Sequence, residues 1–136
     1  MTTPNPLATE HSFHACVNRM FGGTDGQEQP PLADAMVNVS ARAGKPLWIP
    51  DALSGTCCAT VRHSKGYADG NKYMANKVVE KMWEWSDHGK LPIVCDASSC
   101  TFGITTEISA YLTLENTERH AFGHLGRGAR TQWPRI

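Results

Sequence analysis

A chain of 136 residues carrying 13 Lys and Arg against 13 Asp and Glu is one domain's worth of sequence with no net charge. That balance excludes a basic nucleic-acid surface and a polybasic membrane patch, and no stretch approaches the roughly 18–20 apolar residues of a membrane-spanning helix. Residues 1–10 are polar, without the apolar centre of a signal peptide, so the expected compartment is the cytoplasm, where thiols stay reduced.

In chain order, residues 1–10 are expected to be a flexible arm, 11–121 a folded domain and 122–136 an irregular tail. Ser12 to Val17 is short and largely apolar, a first strand running into Cys16. Phe21-Gly22-Gly23-Thr24-Asp25-Gly26 is loop by composition. Pro30-Pro31 opens a helix on which Leu32, Ala35, Met36, Val39 and Ala43 recur at helical spacing, with Gly44 as its C-terminal cap. Leu47-Trp48-Ile49 is a second strand, and the segment from Asp51 to Gly66 a loop. Tyr67 to His88 is the strongest helix: Met74, Val78, Met82 and Trp85 form a stripe beside Ala75, Val79 and Trp83, and Gly89 ends it. Leu91 to Val94 is a third strand leading into Cys95-Asp96-Ala97-Ser98-Ser99-Cys100, and a last helix is expected from about Thr105, carrying Ile108, Tyr111 and Leu112.

Strand and helix alternate, so the expected fold is α/β: a small three-layer domain with a short parallel sheet. Right-handed crossovers then put the loop after each strand on one edge, the carboxyl edge where open α/β sheets bind ligands. Cys16, the adjacent pair Cys57-Cys58 and Cys100 fall on those three loops. Five cysteines are an odd number and fit a disulfide framework poorly, and adjacent cysteines are strained as a bridge. Four soft thiolates on one edge suit a [4Fe-4S] or related cluster, or a structural Zn²⁺. Ser98, Ser99 and Lys65 are candidates to support it, as hydrogen-bond donors to cluster sulfur and as a nearby positive charge. The competing reading is a set of buried core thiols, since free cysteine is among the most buried residue types.

Cys16-Val17-Asn18-Arg19, Cys57-Cys58, Ser64-Lys65-Gly66 and Asp96-Ala97-Ser98-Ser99-Cys100, in this order, resemble the cysteine-rich "CCG" domain. That domain occurs in heterodisulfide reductase B subunits, glycolate oxidase iron–sulfur subunits and FAD-linked D-lactate dehydrogenases. The resemblance runs from about Phe13 to Ala121. It implies an iron–sulfur electron-transfer module of a flavin-linked 2-hydroxy-acid oxidoreductase, with Cys16, Cys57, Cys58 and Cys100 as ligands of a [4Fe-4S] or noncubane cluster. It also implies a partner subunit or missing domain that carries FAD, since no flavin-binding region is present. The chain is then incomplete as an enzyme, and any membrane association is peripheral, through partners at the inner face. Two departures stand out: Ala59 follows the pair where the family pattern has glycine, and the reductases' final Cys-x-x-Cys is missing. Cys95 is read as a buried thiol, with a fifth-ligand role as the alternative. A structural zinc or metal-free interaction domain, and a non-functional fragment of a larger oxidase, are the competing functions.

Other constellations are weaker. Cys95, Cys100, His120 and His124 imitate a zinc site but with spacing unlike a finger. His11 and His14 are expected to be solvated. Glu80, Glu84 and Asp87 alternate with lysines as the outer face of the long helix.

Overall fold

A computed structural model describes residues 9–21 and 31–125. Most of the expected arm, the turn-rich stretch after Phe21 and the tail from residue 126 lie outside the described residues. The fold is α/β as expected, with a small parallel sheet. Strand β1 is Glu10–Phe13, β2 is Leu47–Trp48 and β3 is Ile93–Cys95, in the order β2-β1-β3. Among the described residues there are six helices, α1 Cys16–Phe21, α2 Leu32–Arg42, α3 Thr60–Ser64, α4 Ala68–Trp85, α5 Ser98–Thr105 and α6 Leu114–Leu125, with 3-10 turns at Asp51–Leu53 and Glu107–Tyr111.

β1 is central, with His11 paired to both Trp48 and Ile93, and Phe13 to Cys95. A central parallel strand is covered on both faces, so His11, Ser12 and Phe13 are each only 1 % exposed. This corrects the expectation that His11 and His14 are solvated: both are buried. The imidazole of His11 stands edge-on to Trp48, centroids 4.7 Å apart. Burial pushes its pKa below 6.5.

The first strand ends earlier than its composition suggests, and Cys16 opens α1 rather than closing a strand. The segment after β2 is not all loop, because α3 forms within it. Likewise the Ser98-Ser99-Cys100 run is the first turn of α5, not a loop ahead of a helix at Thr105. The expected tail boundary at 122 falls inside α6, which continues to Leu125.

α4 behaves as its periodicity predicts. Met74, Ala75, Val78, Val79 and Trp85 are buried on one face, and with Phe13, Leu53, Ile104 and Ile108 they form the core. Gly89 ends the turn after this helix at φ 81°, and its N–H bonds Ser86 Oγ at 2.9 Å. α2 forms where expected and packs along β2, but none of its residues is buried.

Candidate cysteine site

Strand order β2-β1-β3 means that the chain leaves β1 in one direction and later returns past it in the other. The carboxyl ends of β1 and β3 therefore flank the switch point of the sheet, the usual place for a ligand crevice. Cys16 follows β1, Cys95 ends β3, and Cys100 lies in the first turn of α5.

Polar side chains lock the loops together at this point. Asp96, just past β3, accepts hydrogen bonds from the Ala15 N–H at 2.6 Å, Asn18 Nδ2 at 2.9 Å and His14 Nδ1 at 3.0 Å. With Nδ1 so engaged, His14 Nε2 accepts from Ser12 Oγ at 3.1 Å. Burial alone would raise the Asp96 pKa, but the bonds from Asn18, the Ala15 N–H and His14 outweigh it and hold the carboxyl below its usual range. Arg19 reaches the other way: Nη1 donates to the Leu53 carbonyl at 2.6 Å and Nη2 to that of Thr56 at 2.7 Å. The loop that carries Cys57 and Cys58 is thus tied to the helix that Cys16 opens.

The thiols meet around Cys58. All five cysteines are reduced; Cys58 and Cys100 are buried, and Cys16, Cys57 and Cys95 half-buried. Cys58 makes side-chain hydrogen bonds with Cys100 and with Cys57, and these, followed by contacts from Thr60, overcome burial and pull its pKa far down. Cys100 and Cys57 move the opposite way, each first because it donates to Cys58 and then because of burial. Burial pushes Cys95 up to about 11, against a hydrogen bond with Thr101.

Two backbone features set this contact. Ala59, fully buried directly after the pair, has φ 68°, a left-handed conformation that glycine adopts at least cost. Gly103 on α5 faces α3 so closely that a Cβ there would stand 1.9 Å from Thr60 Oγ1 and 3.4 Å from the Cys58 carbonyl oxygen. That approach brings the Cys100 helix against the Cys58 turn.

The candidate supporting residues lie further out. Ser98 and Ser99 are exposed in the first turn of α5, and Lys65 is exposed at the end of α3. His120, named in the zinc imitation, has Nε2 2.7 Å from the Ile104 carbonyl oxygen. Sequence reasoning missed the clamp residues His14, Asn18, Arg19 and Asp96 and the Gly103–Thr60 approach. Asn18, Arg19 and Asp96 stood inside the quoted motifs, where the signal was polar residues beside cysteines. Among the described residues, no group of three or more His, Cys, Asp or Glu side chains is arranged to hold a metal ion. No family model, curated protein or solved structure matches the chain.

Proposed function

We propose that the domain is an iron–sulfur electron-transfer module serving a flavin-linked oxidation of a 2-hydroxy acid of the D-lactate type. The observation that carries this reading is the gathering of Cys57, Cys58 and Cys100, with Cys16 beside them, at the switch point of a parallel sheet. The donor set is entirely soft sulfur, which suits iron–sulfur chemistry. A cluster is wider than a single ion, so its thiolates need not converge on one point, as four ligands of Zn²⁺ must. Cys16, Cys57, Cys58 and Cys100 are the proposed ligands, and Cys95 the reserve. The bound cluster would supply one-electron chemistry, accepting reducing equivalents from a flavin. The chain's own residues fix the loops: Asp96 ties the start of α1 to the end of β3, and Arg19 ties α1 to the loop before Cys57. The left-handed turn at Ala59 supports the likeness to a family with glycine at that place.

The flavin belongs to a partner in this reading. Val17, Met20, Val61 and Phe102 are exposed apolar side chains on α1, α3 and α5, the helices that bear or flank the cysteines. Those three helices carry Arg19 and Arg62 and no carboxylate. An apolar, mildly cationic rim around the thiols suits contact with an acidic protein surface. Anaerobic reconstitution with iron and sulfide tests the proposal. The expected product has broad visible absorption and an EPR signal in one redox state, both lost in Cys58→Ser and kept in Lys65→Ala. A folded, reduced chain that gives neither would overturn it.

A second reading is a zinc-binding or metal-free interaction domain. The 4 % and 5 % exposure of Cys58 and Cys100, within the hydrophobic core, favours it. Zinc without sulfide in the purified protein, or neither, would support that reading.

A further inference from the structure

His11 lies on the central strand, is 1 % exposed, and has no hydrogen-bond partner for either ring nitrogen among the described residues. A neutral imidazole asks for one donor and one acceptor; an imidazolium asks for two acceptors and carries a buried charge as well. Trp48 stands edge-on with its ring centroid 4.7 Å away, but a π-face does not replace two acceptors.

Neighbouring charges do not offset that cost. Glu10 precedes His11 on β1 and, by strand alternation, falls on the other face. β2 carries no ionisable side chain, and Lys45 ahead of it is exposed. β3 offers only the thiol of Cys95, opposite Phe13, and the Asp96 carboxylate beyond it is taken up by Ala15, Asn18 and His14. Asp34 and Arg42 on α2 are exposed, and the buried face of α4 is uncharged.

The two sides of β1 differ in how firmly they are held. Toward β3, the His11 N–H bonds the Pro92 carbonyl at 2.9 Å and three residue pairs follow. Toward β2 there are two residue pairs, and α2, which packs on β2, buries none of its side chains. Arg19 holds the carbonyls of Leu53 and Thr56, so the weakly held unit ends near Pro50. We propose that protonation of His11 opens the β2–α2 side of the sheet, a local acid switch that leaves the β1–β3 side closed. As β2 withdraws, the contact with Trp48 breaks and water reaches the imidazolium.

The opened form takes up the proton with an ordinary histidine pKa, near 6.5, whereas burial holds the closed form lower. Opening therefore grows as pH falls below 6.5, by at most about tenfold per pH unit. The switch does not rest on the cluster reading.

Amide hydrogen exchange of the full reduced chain, read by mass spectrometry at about pH 7 and about pH 5 and corrected for the intrinsic rate, tests it. Residues 32–48 are expected to lose protection about tenfold at the lower pH, while residues 93–105 keep theirs. His11→Phe keeps a ring against Trp48 but cannot take the proton, so the loss at 32–48 should vanish. His11→Gln, which does not titrate either, replaces it should the phenylalanine variant fail to fold. No loss at 32–48, an equal loss at 93–105, or the same loss in a folded variant would overturn the proposal.

Discussion

The two flanks of the sheet are built differently. Between β1 and β3, the residues of β1 from His11 to Phe13 are buried, the Asp96 carboxylate holds three donors at 2.6–3.0 Å, and Arg19 braces the neighbouring loop. On the other flank, β2 pairs through only two positions and α2 buries none of its side chains, with Leu32 and Val39 left 45 % and 66 % exposed. Every cysteine belongs to the tight flank or faces it, and none lies on α2. A site made of loops is only as well placed as the bonds between those loops. On the β1–β3 flank, buried polar bonds tie together the loops that bear the thiols.

The contrast can be broken by substitution. The largest effect is expected from Asp96→Asn, which puts an amide donor against three existing donors in a buried place. A loss of about 3 kcal/mol in urea unfolding is expected, with a change under about 1 kcal/mol contradicting the clamp. Gly103→Ala forces α5 from α3 and should cost about 2 kcal/mol as overpacking, and the thiol contact should loosen with it. An unchanged midpoint, with unchanged alkylation rates at Cys58 and Cys100, would show that Thr60 simply turns aside.

His11 gives the tight flank a pH signature. Its folded-state pKa is depressed below 6.5, so the unfolded chain takes up a proton first. Its contribution is therefore full above pH 6.5 and is lost as pH falls from there through the lower folded value. His11→Phe keeps a ring against Trp48 and should flatten that part of the stability–pH curve; an identical slope would exclude His11 as its source. A smaller gain is expected from Ala59→Gly, which relieves a left-handed alanine and should stabilise by about 1 kcal/mol, measured by the same unfolding assay. On the loose flank, Val39→Asp should move stability by no more than about 0.5 kcal/mol. A loss of several kcal/mol would mean that α2 is far better packed than its exposure indicates.

The same contrast explains what the sequence made legible. The apolar stripe of α4 was readable because its period and its burial coincide at Met74, Val78 and Trp85. An equally regular stripe on α2 gave the helix but not its environment, since periodicity reports which residues share a face and not what covers that face. The parallel sheet and the convergence of the cysteine loops followed from the alternation of elements. The start of α5 did not, because Ser98, Ser99 and Cys100 are weak helix formers that are helical here only by tertiary context. His14 looked like a surface histidine because its partner Asp96 is 82 positions away, and no local pattern announces such a pair. The cysteines were visible as residues; what holds them in place was not.

The most direct measurement is the iron and acid-labile sulfide content of the anaerobically purified, folded chain, taken beside Cys58→Ser. The account predicts both elements in comparable amounts per chain, and their loss when Cys58 is replaced. Intact, reduced cysteines in a cooperatively folding protein that holds neither iron nor sulfide would contradict it.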